Sequence, residues 1–421
     1  MTHRNAIGDH TFDVRADAIT DAMTNPTADV IVVGLGTMGS AAILELARRG
    51  VRVVGIDRFA PPHDRGSGHG GSRVIRLAYF EHSDYVPLLR RAYEGFERLE
   101  RDAGVVLKTE CGVVMGGAAG NPASAGMLRS ARAHGLEVEH FDGAELMRRY
   151  PQFSVPRDWE IVRETRGGFV RPEATIRAAL AEAERLGATI VRNTPITRWE
   201  SDGQRVCVFG GTASSTRRWE AGALVLSSGA WMPGLSAGTS AGTSAGSSSI
   251  GASNPFALRP TRETLVWMDD AGDRRWHASE MPVWFFDRGA EPPVYGIPAF
   301  DGMGSPRGLK VGLHGRGPDA APESIGDAVD PAIVAETCAA TAERIPIAAS
   351  RTTNHACHCM YTMSRDGHFV VGLHPEFANV AVACGFSGHG FKFAPVMGEA
   401  LADLALDGRT ALPIGFLAPR G

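Results

Sequence analysis

The sequence predicts an α/β protein in which a doubly wound nucleotide-binding domain is joined to a second domain built mainly on an antiparallel sheet. Three observations carry that expectation. A β-branched run, Val30–Val33, leads through Gly34-x-Gly36-x-x-Gly39 into a helical stretch, and a second apolar run ends at Asp57. Short aromatic and β-branched runs broken by Gly and Pro dominate residues 106–160 and 256–365. A strand, a glycine turn and a helix then recur over residues 380–406.

Taken in order, residues 1–28 are polar, with an Asn25-Pro26 break, and read as a tail. Val30–Val33 reads as a strand, residues 34–39 as a glycine turn, residues 40–49 as a helix closed by Gly50, and residues 51–56 as the next strand. Apolar strands flanking a helix in this way fit a parallel sheet. Residues 172–186 have helical spacing and end near Gly187, and strands at 189–191 and 223–226 resume the sheet. Residues 236–247 repeat SAGT-SAGT-SAGS, which buries too little apolar surface to offset its ordering entropy, so 234–255 reads as a flexible insertion. Val283-Trp284-Phe285-Phe286 and residues 309–314 suggest the second, antiparallel sheet. The nucleotide domain is thus assigned residues 29–105, 160–233 and 366–421, and the second domain 106–159 and 256–365.

Composition excludes several classes. The 421 residues carry 43 Lys+Arg against 47 Asp+Glu, a net charge of −4, which gives no pull toward nucleic acid or an anionic membrane. No apolar stretch reaches the roughly 18 residues of a spanning helix, so the chain reads as soluble and cytoplasmic. Six scattered cysteines read as reduced thiols rather than a disulfide framework. His355-Ala356-Cys357-His358-Cys359 has no second ligand pair at zinc spacing, so no metal is expected. Gly385-Phe386-Ser387-Gly388 lacks the spacing of a hydrolase nucleophile elbow.

The chemistry-bearing motifs point to a redox cofactor site. In the first turn Gly34 permits the tight bend, Gly36 lets the backbone approach a pyrophosphate, and Gly39 allows close helix packing, while Asp57 is placed to accept from a ribose hydroxyl. NAD and FAD both fit that unit. In His69-Gly70-Gly71-Ser72-Arg73-Val74-Ile75-Arg76 two arginines stand three apart, suited to a carboxylate or a flavin oxygen, or else to a solvated basic turn. Lys310 lies alone in an apolar strand pattern, either on a wet face or lining a cavity where an ammonium would stabilise charge on reduced oxygen.

Gly34-Leu35-Gly36-Thr37-Met38-Gly39, Pro61-Pro62-His63, His69 to Arg76, Cys359-Met360-Tyr361-Thr362 and Gly385-Phe386-Ser387-Gly388-His389-Gly390-Phe391-Lys392-Phe393 together resemble the monomeric sarcosine oxidase family, which includes N-methyltryptophan oxidase. The likeness spans residues 29–406 apart from the low-complexity insertion. It implies an FAD enzyme, acting as a monomer, that oxidises the C–N bond of a secondary amino acid and passes the electrons to dioxygen, releasing peroxide. By the same resemblance Cys359 holds FAD covalently through the flavin 8α carbon, and Cys357 does not align. Arg76 and Lys392 match the pair that anchors the substrate carboxylate. Arg73, His69 and Ser72 match residues near the flavin, Lys310 matches the lysine that activates oxygen, and Tyr295, His314 and Tyr361 match pocket residues. Gly388 and Gly390 form the second cofactor turn, whose helix would direct its positive end at the flavin. Trp284-Phe285-Phe286 is bulkier than the family pattern, which leaves a larger N-alkyl amino acid or another electron acceptor as alternatives, and the segment from Tyr295 to Lys310 is longer. A dinucleotide-binding protein without turnover is the remaining alternative. It has no need of Cys359, Arg76, Lys392 and Lys310 together.

Overall fold

Val30–Val33, buried along its whole length, lies inside a six-stranded sheet whose order is Val370–His374, Phe377–Cys384, Ala223–Leu226, Val30–Val33, Val53–Ile56, Thr189–Val191. All neighbours run parallel except the first pair. The computed structural model describes residues 28–212, 215–235, 237–240, 254–304 and 306–419. The polar tail expected at 1–28 lies outside them apart from Ala28, as does most of the SAGT-like tract. Within that insertion Thr239–Ser240 is nevertheless a short strand, paired with Glu200 and Ser201.

Alternation along the central strands sends Val30, Val32, Val53 and Val225 to one face and Ile31, Val33, Val54 and Leu226 to the other. The first face is covered by the helices Thr37–Arg48, Pro172–Arg185 and Ala394–Asp407. The second is covered by a small sheet of Ile196–Ser201, Val206–Thr212 and Ser215–Ala221, through Trp199, Val208 and Trp219. Helix Thr37–Arg48 starts three residues earlier than the pattern suggests, because Gly36 already serves as its N-cap. It crosses Ala394–Asp407 so closely that a Cβ on Gly398 would stand 2.6 Å from the Ala41 carbonyl carbon.

The second layer is an eight-stranded sheet in the order Thr353–Met363, Arg259–Met268, Leu309–Leu313, Glu291–Ile297, Val283–Arg288, Val113–Gly117, Glu160–Glu164, Glu139–Asp142. Its pairings are antiparallel except that between Val283–Arg288 and Val113–Gly117. Glu160–Glu164 therefore pairs within this sheet, whereas the expected boundary assigned it to the nucleotide domain. Register puts Cys359 opposite Glu263, Tyr361 opposite Thr261, and Lys310 opposite both Trp267 and Ile297. Leu309, Val311 and Leu313 alternate onto the other face, into an apolar cluster with Val266, Met268 and Trp284. Lys310 thus sits in a strand buried on both faces, and the wet-face reading of this residue is excluded.

Candidate active site

A cavity of about 760 Å³ runs between the two layers. Gly34, Gly36, Asp57, Arg73, Cys359, Tyr361, Gly388 and Gly390 all line it, drawn from both ends of the chain. Gly39 lies beneath its glycine turn, where a Cβ would run into the Gly34 carbonyl oxygen. Gly36 is the opposite case: a Cβ there would meet no protein atom within 4 Å and would stand in the cavity. Open backbone at a helix N-terminus is what the close approach of a pyrophosphate would need. Asp57, almost fully buried, spans the unit, accepting from Leu35 N at 2.7 Å through one carboxylate oxygen and from Phe59 N at 2.7 Å through the other.

Cys359 forms part of the far wall. Arg73 Nη2 donates to its Sγ at 3.1 Å and to the Ser67 carbonyl at 2.8 Å. Cys357 shares the face but is not among the lining residues. Burial, with Cys359 nearby, pushes the Cys357 thiol up to about 11. Strand alternation turns His358 to the opposite face, where its Nε2 lies 3.4 Å from the Ala328 carbonyl. The five-residue His/Cys run is therefore split between two surfaces.

Beside Cys359, the turn at residues 69–73 meets Lys310. Gly70 and Gly71 adopt φ values of +94° and +75°, which only glycine takes readily, and the turn carbonyls consequently point at the ammonium. Lys310 Nζ donates to Gly70 O at 2.9 Å and Ser72 O at 2.6 Å. Burial, reinforced by the Arg73 guanidinium, pushes Lys310 well below the ordinary lysine range. The same causes, burial first and then Arg73 and Lys310, take His69 down to about 3, so it is neutral at pH 7. His69 Nε2 and Ser72 Oγ are buried without a hydrogen-bond partner. Buried orphans of this kind call for a polar partner, which a flavin held at the Arg73–Cys359 end of the cavity would supply.

A second group gathers around Tyr79. Arg76 Cζ lies 4.3 Å and Lys392 Nζ 5.1 Å from the centre of its ring, and both cations are almost wholly buried. Arg76 Nη2 donates to both oxygens of Glu81, at 2.9 and 2.7 Å, and Nη1 donates to Ala78 O at 3.1 Å. Lys392 Nζ donates to His389 O at 2.7 Å. Burial, with Arg76 adding to it, takes Lys392 down to about 7. The backbone after Arg76 is held by Glu164, which accepts from Leu77 N at 2.8 Å and Ala78 N at 2.7 Å. His314 Nδ1 and Tyr361 Oη share a hydrogen bond at 3.3 Å. Tyr295 stands opposite Phe285, whose ring centre lies 5.6 Å from that of Phe80.

Arg76, Lys392, His314, Tyr295, Lys310, His69 and Ser72 do not line the main cavity; Lys310 meets the turn that ends at Arg73, His314 meets Tyr361, and Lys392 meets His389 between the lining Gly388 and Gly390. Gly388 is required as glycine, since a Cβ would enter the Tyr361 ring. The helix expected to open at this turn begins only at Ala394, after the 3-10 turn Phe391–Phe393. Its positive end is accordingly displaced from Gly388-His389-Gly390 by one turn of backbone, which carries Lys392 instead. Tyr79, Glu81, Glu164 and Glu173 escape sequence reasoning. Only the Arg76 to Glu81 spacing offered a signal, as an acid five residues from a cation.

The family profile described as FAD dependent oxidoreductase matches residues 29–404. A monomeric sarcosine oxidase of Streptomyces avermitilis is 41% identical over 400 residues, covering 94% of this chain and 98% of that protein. An N-methyl-L-tryptophan oxidase of Salmonella arizonae is 31% identical over 384 residues, covering 90% and 95%. Among solved structures, the open form of NikD, an amino acid oxidase essential for nikkomycin biosynthesis, aligns with a TM-score of 0.76 at 21% identity over 94% of this chain and 98% of that one. Glycine oxidase from Geobacillus kaustophilus aligns with a TM-score of 0.75 at 20% identity, covering 94% and 98%. The chain therefore belongs to the FAD-dependent oxidoreductase family, alongside the monomeric sarcosine oxidases and N-methyl-L-tryptophan oxidases.

Proposed function

We propose that this protein oxidises the C–N bond of a secondary amino acid, N-methyl or cyclic, with dioxygen as acceptor, giving an imine and hydrogen peroxide. The observation that carries the reading is the convergence of two buried cations, Arg76 and Lys392, on one aromatic ring beside the Gly388–Gly390 wall of a dinucleotide cavity. FAD held there would take two electrons from the C–N bond and deliver them to oxygen. Gly34, Gly36 and Asp57 would hold its adenosine diphosphate part, with Gly388 and Gly390 against the far side. Cys359 would bear the covalent link, with the Arg73 guanidinium bonded to its sulfur.

The remaining work falls to the chain's own side chains. Arg76 and Lys392 grip the carboxylate and orient the amine, which makes the reaction effectively unimolecular. Tyr361, His314 and Tyr295 wall the amine side and exclude water. Lys310, on two carbonyls, places positive charge where oxygen is reduced. The names of the relatives support an N-methyl amino acid as substrate. The Phe80–Phe285 pair stands beside Arg76 and His314, on the side where the substrate's side chain would lie. The protein works as a cytoplasmic monomer, a reading supported by its charge balance and by the name of its relatives. Among the described residues no helix is long and apolar enough to cross a membrane.

The test is a visible spectrum followed by acid precipitation, then oxygen uptake with a panel of N-methyl amino acids and cyclic imino acids. Yellow colour in the pellet, lost in Cys359→Ser but kept in Cys357→Ser, supports the covalent link. Flavin in the supernatant removes Cys359 from that role. Absence of oxygen uptake across the panel, with turnover by an artificial acceptor, replaces the oxidase reading with a dehydrogenase.

A further inference from the structure

We infer that Glu173 is the positioning residue for Lys310: by holding the turn at residues 69–73 it aims the two carbonyls that fix the Lys310 ammonium. The inference rests on the proposed oxygen role of Lys310. Glu173 stands in the first turn of helix Pro172–Arg185, more than a hundred residues from the turn it holds. Its Oε1 accepts from Gly70 N at 2.6 Å and Gly71 N at 3.1 Å, and Oε2 lies 3.2 Å from Gly71 N. Both glycines have positive φ, so this turn has few intrinsic preferences and needs an outside partner to select one conformation. The carbonyls of the same turn, Gly70 O and Ser72 O, receive Lys310 Nζ, and Ser72 O also accepts from Arg73 Nη1 at 2.9 Å. A carboxylate is the suitable clamp, since charge-assisted bonds to N–H are stronger than neutral ones. Its negative charge also acts on Arg73 and Lys310, favouring the charged form of each.

The two bonds to the turn thus fix where the Lys310 nitrogen stands. Loosening the turn would let the ammonium swing between its acceptors, and a displacement of about 1 Å at a reacting group costs up to roughly a hundredfold in rate. The neighbouring residue Arg171 ties the same helix start to the lengthened segment between Tyr295 and Lys310. Its Nη2 donates to Asp301 O at 3.2 Å, and its guanidinium carbon lies 4.9 Å from the centre of the Phe300 ring. The same helix end therefore also holds the segment that leads into the Lys310 strand.

The chain contains three lysines, Lys108, Lys310 and Lys392, which makes the test direct. FAD-loaded enzyme labelled with [ε-13C]lysine gives three side-chain signals, assigned with Lys108→Gln and Lys392→Met. Glu173→Ala is expected to move or broaden the Lys310 signal and to slow reoxidation of the flavin by oxygen about tenfold or more, with anaerobic reduction by the amino acid within about twofold of wild type. Glu173→Gln keeps an oxygen that can accept from both N–H groups and is expected to restore the signal and most of the rate. The inference is overturned if the Lys310 signal of Glu173→Ala is unchanged, or if Glu173→Gln and Glu173→Ala behave alike, which assigns the effect to charge. Equal losses in reduction, reoxidation and FAD content overturn it too, because they mark a general structural role. A wild-type enzyme that oxygen fails to reoxidise removes the oxygen role of Lys310, and the NMR signal still decides whether Glu173 positions it.

Discussion

Arg76 and Glu81 form a two-pronged ion pair, 2.9 and 2.7 Å from one guanidinium nitrogen to the two carboxylate oxygens, at the place where a substrate carboxylate would bind. Burial raises the Glu81 carboxyl, but Arg76, His389 and Lys392 together outweigh it and hold the group at about 2, so it is anionic at every working pH. In the proposed site an internal carboxylate would thus compete with the substrate for Arg76. Glu81→Gln should lower the KM for the amino acid about three- to tenfold with little change in kcat, the pattern of improved uniform binding. A raised KM in steady-state assays would show instead that Glu81 is needed to hold Arg76 in place.

The depressed Lys392 predicts a pH dependence with a definite sign. Its ammonium is present below about 7 and lost as pH rises through that value. Above it, a bound carboxylate must recover the proton, so affinity falls about tenfold per pH unit. His389, held down to about 4 chiefly by burial, and Glu81 at about 2 have finished titrating by then. A carboxylate without an amine, titrated into the enzyme by the change in flavin absorbance, isolates this limb. The slope should vanish in Lys392→Met, and a slope that persists there would assign the titration elsewhere.

Tyr79 carries both cations on its ring, and each such contact is worth about 0.5–2 kcal/mol. Tyr79→Phe keeps the ring while losing the hydroxyl bond to His389, so its KM should stay within about threefold of wild type. Tyr79→Leu removes the ring and should raise KM by about tenfold or more. Equal effects of the two variants in steady-state kinetics would transfer the role from the ring to the hydroxyl.

Gly36 and Gly39 should respond differently to one added methyl. Gly39→Ala collides with the Gly34 carbonyl and must separate helix from strand, lowering both thermal stability and FAD content. Gly36→Ala meets no protein atom. Its apoprotein should melt at nearly the wild-type temperature while FAD affinity falls at least about tenfold, because the methyl occupies pyrophosphate space. Calorimetry of the apoproteins and fluorescence titration with FAD separate the two.

The features legible in the sequence were those whose cause is local. The glycine turn, its strand and Asp57 lie within thirty residues, and each glycine has a separate steric reason. The alternation at Leu309–Lys310–Val311 separated Lys310 from its neighbours, although its burial needed Trp267 from another strand. The last strand of the small sheet over residues 196–221 was hidden because Ser215, Thr216, Arg217 and Arg218 are exposed and polar, leaving Trp219 and Ala221 to face the core. Glu81 and Glu173 were hidden for another reason: a carboxylate shows no pattern until its partner is known, and the partners of Glu173 are backbone N–H groups.

The strand order of the six-stranded sheet has a consequence for biosynthesis. Val30–Val33 and helix Thr37–Arg48 leave the ribosome early, yet their neighbours Ala223–Leu226, Phe377–Cys384 and Ala394–Asp407 are made much later. Until then the side of the helix that packs on Ala394–Asp407, with Ala41 against Gly398, has nothing to cover it. The nascent chain must therefore carry a sticky, unfinished nucleotide cradle through most of translation, a state prone to aggregation. Slower synthesis at low temperature, or chaperone co-expression, should raise the yield of yellow protein by protecting that interval rather than by stabilising the finished fold.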